Sequence, residues 1–352
     1  MKVWIDVLTP KQANLFSVIV RELRKRGHDI FVTTRHYREV EQLLKIRHID
    51  AMTVGRHGGA DLHEKLLASA ERETALANCV SQEKPGIAMS FCSPEAARVA
   101  YGLRISHYAV CDSPHAEAVC RLSLPVSEKL FTPKAIPKAA WKWYGIAPKQ
   151  IVRYNAIDPV VWIRAYAPGP DLRKELGLKT DKPMVIIRTE EEFAAYMLQS
   201  KVFPSKTIIT TLARSLNKTG VQVVVLPRYE SQVDNLVKIL AGTAIVPTQV
   251  VDAIGLLSRA TAFIGAGGTM SAEAALMGVP TISCYPIKPT YIDKYLFRTG
   301  LAERILTPHK IINRVHEHLN NNTTLSKQKK RAENIMSRME DPVQVILNQL
   351  TT

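Results

Sequence analysis

Short runs rich in valine and isoleucine alternate with helical segments along almost the whole chain, and no other feature narrows the choice of fold as far. A strand buried on both faces reads as a continuous apolar run, and a helix must follow it if the next strand is to lie parallel. Such runs occupy residues 3–7, 30–33, 51–54, 87–91, 106–110 and 129–132, then 184–187, 221–226, 262–265 and 281–284. Between the first two, Leu15, Ile19 and Leu23 recur at four-residue spacing, which makes one apolar stripe on a helix that Gly27 ends. The fold class expected is therefore α/β, with two Rossmann-like doubly wound domains facing across a cleft.

A chain of 352 residues is too long for one ordinary core. Pro159, Pro168, Gly169 and Pro170 interrupt the periodicity, which places a linker at 161–182 between an N-terminal domain, 1–160, and a C-terminal domain, 183–335. Residues 336–352 are expected to form a last helix that packs back on the N-terminal domain. Hydrophobic residues make up 46% and charged residues 22% of the chain, enough apolar surface to offset the entropy of ordering, so wholesale disorder is excluded. The net charge of +15 attracts anions, whether a nucleotide diphosphate, a polyanion or anionic lipid. Five cysteines without a CxxC pair indicate neither a zinc knuckle nor a disulfide framework. No basic segment followed by a long apolar one opens the chain, so a cytoplasmic location is expected, with peripheral contact at a membrane open to the basic surface.

Residues 262–280 carry the most chemistry. The apolar strand runs into Gly265, Ala266, Gly267 and Gly268, Thr269 is placed to cap a helix, and Gly278 with Pro280 ends it. Glycines let peptide N–H groups approach a diphosphate, and the helix N-terminus adds partial positive charge. Gly267, Gly268, Thr269 and Ser271 are the phosphate-binding candidates. The pattern is not the dinucleotide fingerprint, since Met270 stands where its last glycine belongs, and no Gly-Lys-Ser/Thr of a P-loop is present. Glu273, one turn into the helix, is placed either to accept hydrogen bonds from ribose hydroxyls or to complement the helix dipole.

Arg188 directly follows one apolar run and Arg228 follows another after Pro227, so both are expected at carboxyl ends of strands, where open α/β sheets bind ligands. There they can neutralise a leaving diphosphate, or form surface ion pairs with Glu190 and Glu230. In the N-terminal domain, Arg56 and His57 lie in a glycine-rich loop after the third run, as an anion contact and an acid or base, or merely in a tight turn. Asp112 and His115, three residues apart after another run, can activate an acceptor hydroxyl; equally, Asp112 can cap a helix with His115 in its first turn. Lys11 and Asn14 follow the first run and read as acceptor-side contacts or as a capped helix start. Trp141, Trp143 and Tyr144 suit a sugar-stacking shelf, a membrane-facing edge, or packing. No Asp-x-Asp motif occurs and no His, Cys and carboxylate set has metal-ligand spacing, so no metal ligand and no cofactor is assigned and metal-independent chemistry is expected.

The glycine-rich turn, Glu273, Gly278 and Pro280 resemble the donor-nucleotide motif of GT-B glycosyltransferases such as the lipid-II-forming N-acetylglucosaminyltransferase. A closer resemblance is to an archaeal and bacterial family of uncharacterised proteins predicted to be glycosyltransferases of GT-B fold. It is carried, in order along most of the chain, by Trp4-Ile5-Asp6, the loop from Val54 to Gly59, Asp112-Ser113-Pro114-His115, Leu226-Pro227-Arg228, and Gly265 to Met270. That resemblance implies the GT-B fold, a uridine-diphosphate sugar as donor, and transfer of the sugar to an acceptor of unknown structure, with a lipid-linked one at a membrane surface in view.

Two rival readings stand beside it. A nucleotide-sugar 2-epimerase shares the fold and has a similar glycine-rich turn with a ribose-binding glutamate, but Ala272 stands here where a second acid would directly precede Glu273. A non-enzymatic protein binding RNA or another polyanion would use the basic surface alone. Nucleic acid is not the expected partner, because no aromatic residues interleave Lys327, Lys329, Lys330, Arg331 and Arg338 of the basic C-terminal helix.

Overall fold

The computed structural model describes residues 1–59, 61–189, 206–228, 230–265 and 268–350. The chain forms two compact units, one from Met1–Trp162 and the stretch beginning at Glu340, the other from the stretch between Ile163 and Met339. Each is a parallel α/β sheet, as the alternation of apolar runs and helices requires.

In the first unit, seven strands are ordered β3-β2-β1-β4-β5-β6-β7. They are β1 (Lys2–Val7), β2 (Asp29–His36), β3 (Met52–Arg56), β4 (Ile87–Ser90), β5 (Ser106–Val110), β6 (Lys129–Pro133) and β7 (Ile151–Tyr154). The chain winds outward from β1 to β3 and returns to place β4 on the other side of β1, so the order reverses between β1 and β4. The helix Pro10–Lys25 starts at Thr9, whose side chain accepts from the Gln12 N–H, and gives way to Gly27 at φ +77°. It buries Leu15, Phe16, Ile19 and Leu23. The helix Pro342–Leu347 lies against it, and Arg26 donates to Gln344 Oε1 at 2.7 Å.

The second unit holds β8 (Met184–Arg188), β9 (Gln222–Leu226), β10 (Ala262–Gly265), β11 (Thr281–Ser283) and β12 (Ala302–Arg304), ordered β12-β11-β10-β8-β9. Alternate residues enter two cores. Val185, Ile187, Val223 and Val225 pack with Leu212 and Leu216, whereas Met184, Ile186, Val224 and Leu226 pack with Leu256 and Leu257. Covering both faces in this way is what continuous apolar strands demand. Here the order reverses between β8 and β10.

Two strands escaped the sequence reading, β7 and β12, and both are sheet edges. Residues 161–182, expected as a linker, contribute to packing on both sides of the division. Val161 and Trp162 are buried in the first unit, and Leu172, Leu176 and Leu178 join a core of the second. Among the described residues, no helix is long and apolar enough to cross a membrane.

Candidate functional site

The reversal of strand order in the second unit brings the predicted phosphate-binding residues together. Gly265 ends β10 in register with Arg188, the last residue of β8, and Arg188 is in register with Leu226, the last residue of β9. Ligands of open α/β sheets bind beyond the carboxyl ends of strands at such a reversal. Arg188 donates to the Pro227 carbonyl at 2.6 Å, which holds it across the end of β9. Gln232, which the sequence did not single out, ties the same two strand ends together. Its Oε1 accepts from the Arg228 N–H at 2.9 Å and from Thr189 Oγ1 at 3.1 Å.

The turn after β10 is shaped for close approach. Gly268 has φ +94° and ψ −177°, a conformation open essentially to glycine alone. A Cβ on Gly268 would stand 3.0 Å from an Arg228 guanidinium nitrogen, so Arg228 lies directly over this part of the turn. A Cβ on Gly265 would meet Phe263 at 2.6 Å and the Ser271 hydroxyl at 2.7 Å. Ser271 is 2% exposed, and its Oγ has no hydrogen-bond partner among the described residues. An orphaned buried hydroxyl in the first turn of a helix is a group that a ligand oxygen would satisfy.

Two readings of this segment change. Thr269 does not cap the helix: Gly268 is the N-cap residue and Thr269 the first helical position, because the backbone at Gly268 leaves the helical region where Thr269 was expected to leave it. Gly267 lies outside the described residues. Glu273 sits in the buried helix Thr269–Leu276 and is 4% exposed.

A second cluster lies at the carboxyl edge of the first unit's sheet, again around the strand reversal. Lys11 follows β1 at the start of its helix and sits with its ammonium 4.3 Å above the Phe91 ring, just past β4. Lys11 Nζ is 2.5 Å from Asp112 Oδ2, after β5, and 2.7 Å from Asp158 Oδ2, after β7. Burial disfavours the Lys11 charge, but the two carboxylates outweigh it and raise its pKa. Burial also works against ionisation of Asp112, and Lys11 overcomes it, so Asp112 is held below the usual carboxylate range. Asp158 is fully buried; burial raises its pKa, Lys11 opposes, and the neighbouring Asp112 charge adds to the rise. Tyr154 donates to Asp158 Oδ1 at 2.5 Å. The two carboxyl groups around this single lysine are thus pushed in opposite directions, Asp112 down and Asp158 up.

The structure settles what Asp112 does locally. The nearby helix begins at Glu117 with Ala116 as its N-cap, so Asp112 is not a capping residue, and Ser113 Oγ and Lys11 occupy it instead. His115 is exposed, outside that helix, and its charge contributes to lowering the Asp112 pKa. Asn14 is buried, and its Oδ1 accepts from Arg47 at 3.0 Å. Arg56 faces Glu64 at 3.2 Å and Glu71 at 3.7 Å. His57 stacks on Tyr37 with ring centres 5.2 Å apart, and burial, then Arg35 and Lys65, push its pKa down to about 4. Trp141 is fully buried and Trp143 is 68% exposed, so these aromatics do not form one shelf.

Cys92, Cys111 and Cys120 have no metal-ligand spacing in sequence, yet the fold gathers them from the ends of β4 and β5 and the following helix, with sulfurs all within 4.8 Å of one another. All three are buried, and burial raises the Cys111 thiol well above its ordinary pKa.

Two parallel-sheet α/β units with these strand orders define the GT-B class of fold. The M. jannaschii (Methanocaldococcus jannaschii) UDP-GlcNAc 2-epimerase, solved in complex with UDP-GlcNAc and UDP, superposes on this chain with a TM-score of 0.74 at 16% identity, covering 100% of this chain and 99% of that one. The spinosyn forosaminyltransferase SpnP gives a TM-score of 0.65 at 14% identity, over 100% and 98%. Within that class the chain belongs to the family described as protein of unknown function (DUF354), whose profile matches residues 1–352. The uncharacterized protein MJ0665 of M. jannaschii is 30% identical over 324 residues, 91% of this chain and 92% of that protein.

Proposed function

We propose that this protein is a glycosyltransferase that moves a sugar from a nucleotide-diphosphate donor, a UDP-sugar, to an acceptor. The observation that carries the reading is the turn after β10, where Arg188, Arg228, the Gly268 backbone and the orphaned Ser271 hydroxyl surround one strand end. Two guanidinium groups and a helix N-terminus supply the positive charge that a leaving diphosphate needs. In this reading Gly267, Gly268, Thr269 and Ser271 hold phosphate oxygens, Glu273 takes the ribose, and no divalent ion is required. The first unit's Lys11 and Asp112 act on the acceptor, with Asp112 as the ionised base and Asp158 and Tyr154 as positioning residues. His57 and His115 are the further proton-transfer candidates.

A UDP-GlcNAc 2-epimerase is the second reading, favoured by the higher TM-score to such an enzyme. Thermal stabilisation by a panel of nucleotide sugars tests what the two share, because a ligand of the folded state alone raises Tm. Incubation with the stabilising donor alone then separates them. Donor that stays intact until an acceptor is added supports transfer, and an epimerised sugar or free nucleotide formed without acceptor overturns it.

A further inference from the structure

The carboxyl end of β2 carries a cation that neither the fold nor the proposed reaction uses. Arg35, the penultimate residue of β2, is partly buried, and its Nε is fully shielded without an acceptor. Among the described residues its guanidinium makes no hydrogen bond or ion pair. Arginines that are largely buried are ordinarily paired.

The surrounding charges hold Arg35 in place without occupying its N–H groups. Asp6 accepts from both Arg72 terminal nitrogens, at 2.6 and 3.2 Å, and from Thr33 at 2.7 Å. Glu95 accepts from Ser69 at 2.9 Å and lies 3.9 Å from Arg72. Both carboxylates therefore have closer partners, and they favour the Arg35 charge only at longer range, against burial and the Arg72 charge.

The next strand supplies a second donor. The His57 N–H donates to the His36 carbonyl at 3.3 Å, which fixes the end of β3 beside the end of β2. His57 Nδ1 accepts from the Gly59 N–H at 3.0 Å. A neutral imidazole that accepts at Nδ1 carries its hydrogen on Nε2, so the other ring edge is a donor. Gly58 packs so tightly that a Cβ would stand 2.5 Å from the Lys65 backbone, and no larger residue would let the loop hold His57 there. Tyr37, stacked on His57, completes the wall.

We infer that Arg35 and His57 form an oxyanion-binding subsite in the first unit, built to take a phosphate or carboxylate group. A guanidinium fork matches both groups bidentately, and an imidazole N–H adds one further donor. The inference deepens the proposed reaction: it rests on that reading for the statement that the anion belongs to the acceptor, and on this geometry alone for the anion itself.

The test uses the full chain in sodium phosphate, in sodium acetate and in sodium chloride at equal ionic strength. His57 is titrated by NMR and identified by its loss in His57→Gln. An oxyanion between Arg35 and His57 offsets the arginine charge, so phosphate or acetate should raise the His57 pKa saturably above its value in chloride. Arg35→Gln should raise that pKa in chloride too, by removing the nearby cation, and should weaken the phosphate or acetate response about tenfold or more while UDP affinity is kept. If Arg35→Gln fails to fold, the anion-dependent shift in the unmodified protein decides alone. A His57 pKa equal in all three salts, or an Arg35→Gln variant responding like the parent, overturns the subsite. Should phosphate bind through Arg35 while UDP binds nowhere, the subsite stands and the proposed reaction falls.

Discussion

Replacing Arg72 by methionine should destabilise the first unit with a pH dependence that the structure fixes in sign and size. Arg72 is 1% exposed and Asp6 is fully buried, and the guanidinium grips both Asp6 oxygens while its Nε donates to the Val54 carbonyl at 2.9 Å. Removing one partner of such a pair strands the other charge, at a typical cost of about 3–5 kcal/mol. Asp6 can escape by taking up a proton, which at pH 7 against an ordinary pKa near 3.9 costs about 4 kcal/mol. That value caps the loss from the stranded charge.

In the variant the folded-state pKa of Asp6 is raised, so the folded state binds more protons than the unfolded one and its stability falls as pH rises. In the unmodified protein burial alone would raise Asp6, but Arg72 holds it below the usual carboxylate range, so its contribution is complete above an unfolded pKa near 3.9 and is lost only below it. The gap between the two proteins should therefore shrink from about 4 kcal/mol at pH 7 to about 1.5 kcal/mol at pH 5, roughly 1.4 kcal/mol per pH unit. All four tryptophans, Trp4, Trp141, Trp143 and Trp162, lie in the first unit, so denaturant titration followed by tryptophan fluorescence reports this transition. A gap under about 1 kcal/mol at pH 7, or one that does not change with pH, refutes the reasoning.

Three further outcomes are expected. Gly268→Ala places a side chain at φ +94° at a strain cost of about 1–3 kcal/mol, and calorimetry should show UDP binding weakened with it. Asp158→Asn keeps an acceptor for Tyr154 but leaves Lys11 with Asp112 as its one carboxylate, so kcat should fall with UDP affinity unchanged; equal losses of both would place Asp158 elsewhere in the mechanism. A thiol reagent should label the half-buried Cys79 and Cys284 in the native protein and reach Cys92, Cys111 and Cys120 only after unfolding, whereas early labelling of Cys111 would contradict its burial.

Strands such as Val3 to Val7 and Met184 to Ile187 were legible because burial on both faces of the sheet forces largely apolar runs. Edge position alone did not hide a strand, since β3 and β9 are edges and were read; Ile-Val-Arg-Tyr in β7 and Ala-Glu-Arg in β12 are short and carry too little apolar pattern to be recognised. The turn at Gly268 was visible because its glycines and the following helix are contiguous. Arg188 and Arg228 were visible because Arg188 ends an apolar run and Arg228 follows one by two residues. Asp158 was hidden because it stands beside Pro159 with no apolar run before it, and its role depends on Lys11, which lies far away in the chain and meets it only when β1 and β7 share a sheet. Gln232, Arg35 and the three gathered cysteines were hidden for the same reason, since contacts between distant segments leave no local spacing to read.

The central claim is that the strand ends of β8, β9 and β10 hold a nucleotide diphosphate, and calorimetric titration of UDP into the protein and its Arg228→Gln variant addresses it most directly. A charge-assisted hydrogen bond from Arg228 to a phosphate oxygen, worth about 1.5–3 kcal/mol, predicts UDP binding weakened roughly 10- to 150-fold in the variant. Equal affinity in both proteins, or no UDP binding to the parent, would contradict the account.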